Sequence, residues 1–300
     1  MISISAIICT YNREDLILNT LTGLENQSID PGLFEIIIVN NNSTDQTETI
    51  CKQFIEDHPQ LNCHYVEEKK QGLSYSRNMG INSSSGIFVT FLDDDSVPDP
   101  DFLKVVLDYM ETHPGCMAAG GKIHLEFVEE KPDWINKYLA PLLGYYDLGN
   151  TLKPFSRRNY PRGSNMSFRK EVFTVIGDFN PNLGRKGVSL AGGEEKDLFS
   201  RMYRKNLQVV YLPEAKVNHL VPCERTTMTY VRQQAKGIGE SEKIRTRSIG
   251  FPSYMRRILA EFVKWIVSIG LFLFYLVTFQ IQKAKTIIWF RFFVTVGLFK

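Results

Sequence analysis

Four short apolar runs, each closed by a polar break and followed by residues at helical spacing, organise the first hundred positions. Ile2–Cys9 alternates and then turns wholly apolar, as an interior strand does. Thr10-Tyr11-Asn12-Arg13 breaks the run, and Glu14–Asn26 then carries Leu16, Leu18, Leu21 and Leu24, a helical spacing. Phe34–Val39 is a second buried run. It ends in Asn40–Asp45, residues that tolerate left-handed turns and cap the helix expected over Gln46–Asp57. Cys63–Val66 reads as a third strand, Gln71–Ser74 leads a helix containing Arg77, Asn78 and Gly80, and Ile87–Leu92 is the fourth strand. This rhythm predicts an α/β fold with a mostly parallel sheet flanked by helices. With right-handed crossovers the strands end on one rim, so Tyr11, Asn40–Asp45 and Asp93–Asp95 are expected to converge there.

The rest of the chain is less regular. Phe102–His113 has helical spacing, and Cys116–Ile123 reads as a strand interrupted by Gly120-Gly121. Glu126–Pro161 holds four prolines and seven aromatics without a clear period, which suits either a functional loop or a surface excursion packed by its own rings. Arg162–Arg169 returns to strand character and leads into a helix. Pro181–Gly193, with four glycines, is expected to be mobile, and Glu194-Glu195-Lys196-Asp197 opens a helix running through Arg204. Val209–Leu212 and Ala215–Leu220 are two short strand candidates, the second carrying Asn218-His219.

Candidate chemistry gathers at three places. Asp93, Asp94 and Asp95 follow a buried strand directly, and three adjacent carboxylates repel one another unless a cation neutralises them. A hard divalent ion such as Mg²⁺ or Mn²⁺ suits oxygen ligands and a diphosphate; an acidic loop capping a helix is the plainer alternative. Glu194 and Glu195 either favour the positive end of a helix or face a cleft as a general base. His219 is either a structural histidine or a metal ligand. Composition narrows the classes. The chain has 300 residues, 43% apolar, with a formal net charge of +2, so no global charge argues for nucleic acid. Its five cysteines are dispersed and form no Cys-x-x-Cys pair, which suggests neither a disulfide framework nor zinc and points to a reducing compartment. No signal peptide is expected ahead of the first strand.

The last sixty residues change character. Between Arg225 and Arg257 bases outnumber acids, and Trp265–Phe279 is uncharged throughout. Those fifteen residues fall short of a span, and extending back to Ile258 takes in Glu261 and Lys264. Ile287–Phe299 is a second apolar stretch, containing Arg291. The expectation is membrane attachment, by one tilted span or a shallow hairpin, with residues 1–257 in the cytosol; a soluble-core helix is the alternative.

Taken together, these motifs resemble the family 2 glycosyltransferases, inverting enzymes of the GT-A (Rossmann-like) fold. The likeness covers roughly residues 3–240. Thr10-Tyr11-Asn12-Arg13 resembles the family's first-strand nucleotide contact. Asn40-Asn41-Asn42-Ser43-Thr44-Asp45 sits at its V-D-(D/N)-x-S-x-D segment, and Gly72 through Gly80, with Arg77 and Asn78, is similar to its G-x-x-x-A-R-N-x-G. Asp93-Asp94-Asp95 matches its D-x-D, and Gly163-Ser164-Asn165-Met166 its acceptor-side segment. Glu194-Glu195 stands at its E-D pair, and Val217-Asn218-His219 at a segment whose His completes the metal site in some members.

The resemblance implies a nucleotide-sugar half over 1–123, an acceptor half over 124–240, and a basic linker with membrane-associated helices over 241–300. It implies Thr10, Tyr11, Asn12, Arg13, Asn40, Asn42, Asp45, Gly72, Arg77, Asn78, Asp93 and Asp94 as donor contacts. Gly163, Asn165 and Trp134 would serve the acceptor, with Asp93, Asp95 and His219 as ligands of Mg²⁺ or Mn²⁺. Glu195, with Glu194 and Asp197 beside it, would be the catalytic carboxylate. The implied reaction moves a single sugar from a nucleotide-diphosphate sugar, UDP-linked by preference, to a glycan or lipid-linked acceptor in surface polysaccharide synthesis. Three departures stand out. Asn40 replaces an Asp that contacts the base, and an amide donates as well as accepts. Glu195 replaces an Asp. Arg232-Gln233-Gln234-Ala235-Lys236-Gly237 lacks the Q-x-x-R-W of processive polymerases. Two other classes stay open: a membrane-anchored binding or scaffold protein that has lost catalysis, and a sugar nucleotidyltransferase. The latter would need a glycine-rich phosphate loop that Thr10–Arg13 does not supply.

Overall fold

The computed structural model describes residues 1–157, 159–187 and 192–300. The strands are β1 (Ile4–Thr10), β2 (Phe34–Asn40), β3 (Cys63–Glu67), β4 (Phe88–Asp93), β5 (Ser96–Pro98), β6 (Cys116–Phe127), β7 (Lys153–Pro154), β8 (Met166–Arg169) and β9 (Gln208–Val221). The helices are α1 (Ile17–Glu25), α2 (Thr47–Asp57), α3 (Leu73–Ser83), α4 (Phe102–Thr112), α5 (Val172–Ile176), α6 (Glu194–Arg204), α7 (Cys223–Thr226), α8 (Met228–Ile249), α9 (Phe251–Val277) and α10 (Ile281–Phe299). The expected mobility of 181–193 falls partly on residues 188–191, which lie outside the described residues.

Nine strands form one sheet in the order β3-β2-β1-β4-β8-β6-β9-β5, with β7 on β9. From β3 to β4 the pairs are parallel. Beyond β4 the β4–β8, β6–β8, β5–β9 and β7–β9 pairs are antiparallel, so the sheet is mixed rather than mostly parallel. Both faces are covered, which is why the N-terminal strands read as continuous apolar runs. Ile4, Ala6 and Ile8 of β1 pack under α1, α2 and α4, whereas Ile7 packs with residues of α3, α5 and α6 on the other face.

Two expectations about strands change. Gly120-Gly121 does not interrupt β6. A Cβ on Gly121 would stand 1.9 Å from the Ala215 carbonyl oxygen, and one on Gly120 2.6 Å from that of Asn165. The pair lets neighbouring backbone press against β6, which no larger residue permits. The two short candidates on either side of Pro213 are likewise one strand, β9.

The chain divides into two compact units. One comprises Met1–Glu126, Gly144–Asn182 and Glu194–Leu220 and holds the sheet; the other comprises Phe127–Leu143, Leu183–Gly193 and Val221–Lys300 and holds α7–α10. The stretch 124–240, expected as an acceptor half, is thus shared between them.

Candidate active site

Strand pairing assembles a possible cation site. Asp93 ends β4 in register with Cys9 of β1, and the chain then turns so that β5 pairs with β9, setting Ser96 opposite His219. The Leu220 amide donates to the Asp95 carbonyl at 2.7 Å, and His219 Nε2 stands 3.1 Å from Asp95 Oδ1. One ligand atom from each of Asp93, Asp95 and His219 lies within 4.8 Å of the other two. Asp95 and His219 are buried, while the Asp93 side chain remains 36% accessible. Two carboxylates and an imidazole with one open side fit a divalent ion that also takes substrate oxygens, and the nitrogen favours Mn²⁺ over Mg²⁺. Gly144, at φ +100°, packs over the imidazole; a Cβ there would meet the ring at 3.3 Å. Asp94 is turned elsewhere, to Arg13 Nε at 3.2 Å. Burial pushes its carboxyl up to about 6, the Arg13 charge opposing and the Asp95 and Asp93 charges adding.

A second cluster forms around Arg77, a buried α3 residue. Its Nη1 donates to Glu194 Oε1 at 2.9 Å and its Nη2 to Glu195 Oε1 at 3.3 Å, and the same Nη2 lies 3.8 Å from Asp93 Oδ1. One guanidinium therefore ties the start of α6 to the end of β4, a hundred residues apart in the chain. Gly163 closes over the junction: a Cβ there would stand 2.4 Å from both Arg77 Nη2 and Glu195 Oε1. The next residue, Ser164, donates its hydroxyl to Asp93 Oδ2 at 2.8 Å. Glu194 is buried, whereas the Glu195 side chain keeps 22% of its surface open. Burial pushes the Glu195 carboxyl up to about 7, helped by the Glu194 and Asp93 charges and opposed by Arg77 and Arg162. A carboxyl poised there is matched to proton transfer near neutral pH. Burial works against the Arg77 charge, but the carboxylates of Glu194, Glu195 and Asp93 hold it firmly protonated.

Residues 5–177 match the family described as Glycosyl transferase family 2. The chain belongs to that family. It is 28% identical over 245 residues to the glucosyl-dolichyl phosphate glucuronosyltransferase of Haloferax volcanii, covering 80% of this chain and 76% of the relative. Among solved structures it resembles the mannosyltransferase PcManGT from Pyrobaculum calidifontis, in complex with GDP-Man and Mn²⁺. The TM-score is 0.68 at 16% identity, over 99% of this chain and 86% of that one. A fragment of S. aureus TarS in complex with UDP matches with a TM-score of 0.53 at 21% identity, over 79% of this chain and 65% of that one. The two structural likenesses speak for the GT-A fold.

In this glycosyltransferase the loops after β1 and β2 are knitted together at the rim. Thr10 O accepts from Asn41 N, and Asn12, at φ +51°, accepts from the Thr44 amide at 2.8 Å. The Arg13 amide donates to Thr47 Oγ1, and Asp45 accepts from the amides of Glu14 and Thr47. Asn42 is exposed at φ +66°, and Tyr11, in the loop after β1, is half-buried. Asn40 is buried; its Nδ2 donates to Tyr65 Oη at 2.8 Å and its Oδ1 accepts from the Ser43 amide. The side-chain amide is therefore oriented by the protein itself. Gly72, at φ +146°, sends its N–H to Asn41 Oδ1 at 2.7 Å.

Four expected site residues have other work. Asn78 exchanges two hydrogen bonds with the Phe179 backbone and so fastens α3 to the chain after α5. Asp197 accepts from Arg201 Nε at 3.0 Å, one turn along α6, and that arginine also binds the carbonyls of Gly177 and Asp178. Trp134 lies in the other unit, buried, with its indole N–H on the Thr226 carbonyl. Asn165 is fully buried: Oδ1 accepts from Gly121 N, and Nδ2 donates to the carbonyls of Lys122 and Ala215. With both N–H groups on backbone carbonyls, its oxygen on a backbone amide and no surface exposed, this amide splices strands. Asn165→Ala would strand those three backbone groups, and the expected cost is on the order of 3 kcal/mol in urea unfolding. A loss well under 1 kcal/mol would mean that the splice does not matter.

Sequence reasoning passed over Arg162. Its guanidinium lies 4.8 Å from the Tyr146 ring centroid and 4.4 Å from that of Tyr160, next to Gly163 and within electrostatic reach of Glu195. The signal was the cluster of tyrosines in the irregular segment just before it, which supplies a cation with two π-faces. Tyr65 was also missed, because its role depends on β3 lying beside β2.

Proposed function

We propose that this enzyme transfers one sugar from a nucleotide-diphosphate sugar to a lipid-linked or glycan acceptor, with inversion and with a divalent cation, and that it works attached to the cytosolic face of a membrane. The observation that carries the chemistry is the shared guanidinium, which brings Glu195 beside Asp93 and hence beside the candidate cation site. Asp93, Asp95 and His219 would hold Mn²⁺ or Mg²⁺ against the donor diphosphate. The cation, when bound, supplies positive charge against the charge that builds on the leaving group. Glu195 takes the proton from the acceptor hydroxyl, and that oxygen then displaces the nucleotide directly at the anomeric carbon. A single displacement with no protein nucleophile inverts that centre. Arg77 holds Glu195 in place and, with Ser164, orients Asp93. A nucleotide-sugar donor is supported by the fold shared with neighbours bound to UDP and to GDP-Man; we keep the UDP-linked donor as the reading to test first, with Asn40 in place of the carboxylate expected at the base. A lipid-linked acceptor is supported by the dolichyl phosphate substrate in the name of the Haloferax relative and by the apolar C-terminal helices.

The deciding experiment is a transfer and donor-hydrolysis assay over a panel of UDP- and GDP-sugars, with Mn²⁺, with Mg²⁺ and with EDTA. Cation-dependent turnover with one nucleotide and an inverted product supports the reading; turnover that EDTA leaves intact, or a retained anomer, overturns it. The pH profile is a further expectation. Glu195 must be ionised to act as base and titrates near 7. The rate should therefore fall about tenfold per unit below that value and level off above it. A rate flat from pH 5 to 8 would remove Glu195 from the role.

A further inference from the structure

The membrane attachment proposed above admits several geometries, and the α8–α10 unit selects among them. By length and composition α9 could cross a bilayer. Its exposed apolar surface is broad, taking in Val263, Val267, Ile269 and Phe274, and only a narrow face is buried. Met255, Leu259, Phe262, Ile266, Leu273 and Val277 are each 39–78% exposed and fall on one stripe that runs the length of the helix. The opposite face is polar and buried. Arg257 Nη1 donates to Glu261 Oε2 at 2.6 Å, Arg291 Nη1 to Glu261 Oε1 at 3.0 Å, and Trp265 Nε1 to Thr295 Oγ1 at 2.9 Å. Tyr254 Oη donates to the Leu298 carbonyl at 3.0 Å near one end and Arg291 Nε to Ser268 Oγ at 3.2 Å further along, which sets α9 antiparallel to α10.

Helix α8 lies along α10 as well, and in step with it. Met228 meets Thr286, and Gly239 meets Gly297, where a Cβ on either glycine would stand 2.2 Å from the other helix's backbone. Charged residues recur along α8 from Arg232 and Lys236 to Arg245 and Arg247. An upright α9–α10 hairpin would therefore drag a charged helix into the hydrocarbon beside it. Past the far end of α9, Asp133 lines one recess with residues 279–283. Charge indicates what covers the stripe. Residues 251–300 hold seven lysines and arginines and one acid, Glu261, which is buried. Arg257 and Arg291 are paired with that acid, which leaves Arg256, Lys264, Lys283, Lys285 and Lys300 as a cationic surplus on the same chain as the apolar face. That combination matches anionic headgroups over acyl chains.

We propose that α8–α10 lie flat in the cytosolic leaflet, with the α9 stripe among the acyl chains and α8 toward water, and that α9 does not cross the bilayer. Full-length protein is mixed with vesicles of phosphatidylcholine plus phosphatidylserine and, separately, of phosphatidylcholine alone. Sedimentation should be about tenfold stronger with the anionic lipid, and Phe262→Asp with Ile266→Asp should lower it at least about tenfold while donor hydrolysis is unchanged. In cells, Lys283→Cys in a Cys223→Ser background should react with an impermeant maleimide only after the membrane is opened. Sedimentation combined with labelling of intact cells would overturn the flat geometry and leave attachment standing. Protein that ignores vesicles and instead dimerises through the stripe would overturn both. Neither readout uses the transfer reaction, so loss of the catalytic reading is separately visible.

Discussion

Glu195→Gln is expected to lower sugar transfer by roughly 10²–10⁴-fold while nucleotide and cation binding stay at wild-type strength. The amide keeps the shape and can still accept from Arg77 Nη2, and Arg77 retains Glu194 at 2.9 Å and Asp93 at 3.8 Å, so the junction is not dismantled. What disappears is the group that can take a proton. Single-turnover transfer, with nucleotide affinity read by thermal shift, separates the two effects. Transfer within a few-fold of wild type would exclude Glu195 as the base. Glu194→Gln makes the contrast, since it acts on buried Arg77 and should lower thermal stability. The shift at Glu195 has its own effect on stability. A carboxyl raised from 4.5 to about 7 by burial, and by the Glu194 charge beside it, binds its proton more tightly folded than unfolded. Its contribution is fullest below pH 4.5 and is lost as pH rises through 7.

Asp95→Asn is expected to weaken Mn²⁺-dependent nucleotide binding on the order of 100-fold or more, since even outer-shell partners of a metal are worth 10–100-fold. Asp95 is 1% exposed and contributes one of the three ligand atoms gathered within 4.8 Å. An amide oxygen carries no charge toward the cation, and Asp93 and His219, whose backbones are held in paired strands, already supply the other two ligand atoms. The measurement is the rise in melting temperature caused by UDP or GDP with and without Mn²⁺, which reports binding to the native state by mass action. An unchanged Mn²⁺ effect in the variant would count against the triad. The readout needs no turnover, so it tests the cation site independently of Glu195.

Local order made much of this legible. The N-terminal strands and helices could be read because each carries its own period and its own polar stop, from Ile4–Thr10 to Phe88–Asp93. The rim followed from them, since parallel strands must end on one side. Gly120-Gly121 misled for a physical reason: a glycine pair looks like a break from within its own strand, and only the Ala215 carbonyl pressed against it shows a close crossing. Asn165 misled similarly. A polar residue in an acceptor-side motif invites a role in binding, until it is found fully buried on three backbone partners.

By itself the sequence determined the chemistry available to this protein: a carboxylate triplet after a buried strand, a second carboxylate pair at a helix start, and an uncharged C-terminal stretch with basic flanks. Those are properties of neighbours in the chain. Tertiary structure alone decided which of them meet. Register between β5 and β9 brings His219 to Asp95, Arg77 joins Glu195 to Asp93, and the packing of α8 on α10 turns an apolar helix into one face of a bundle. The reason is range. Periodicity and capping act over a few residues, whereas a buried guanidinium or a strand pair recruits partners from anywhere the fold delivers them.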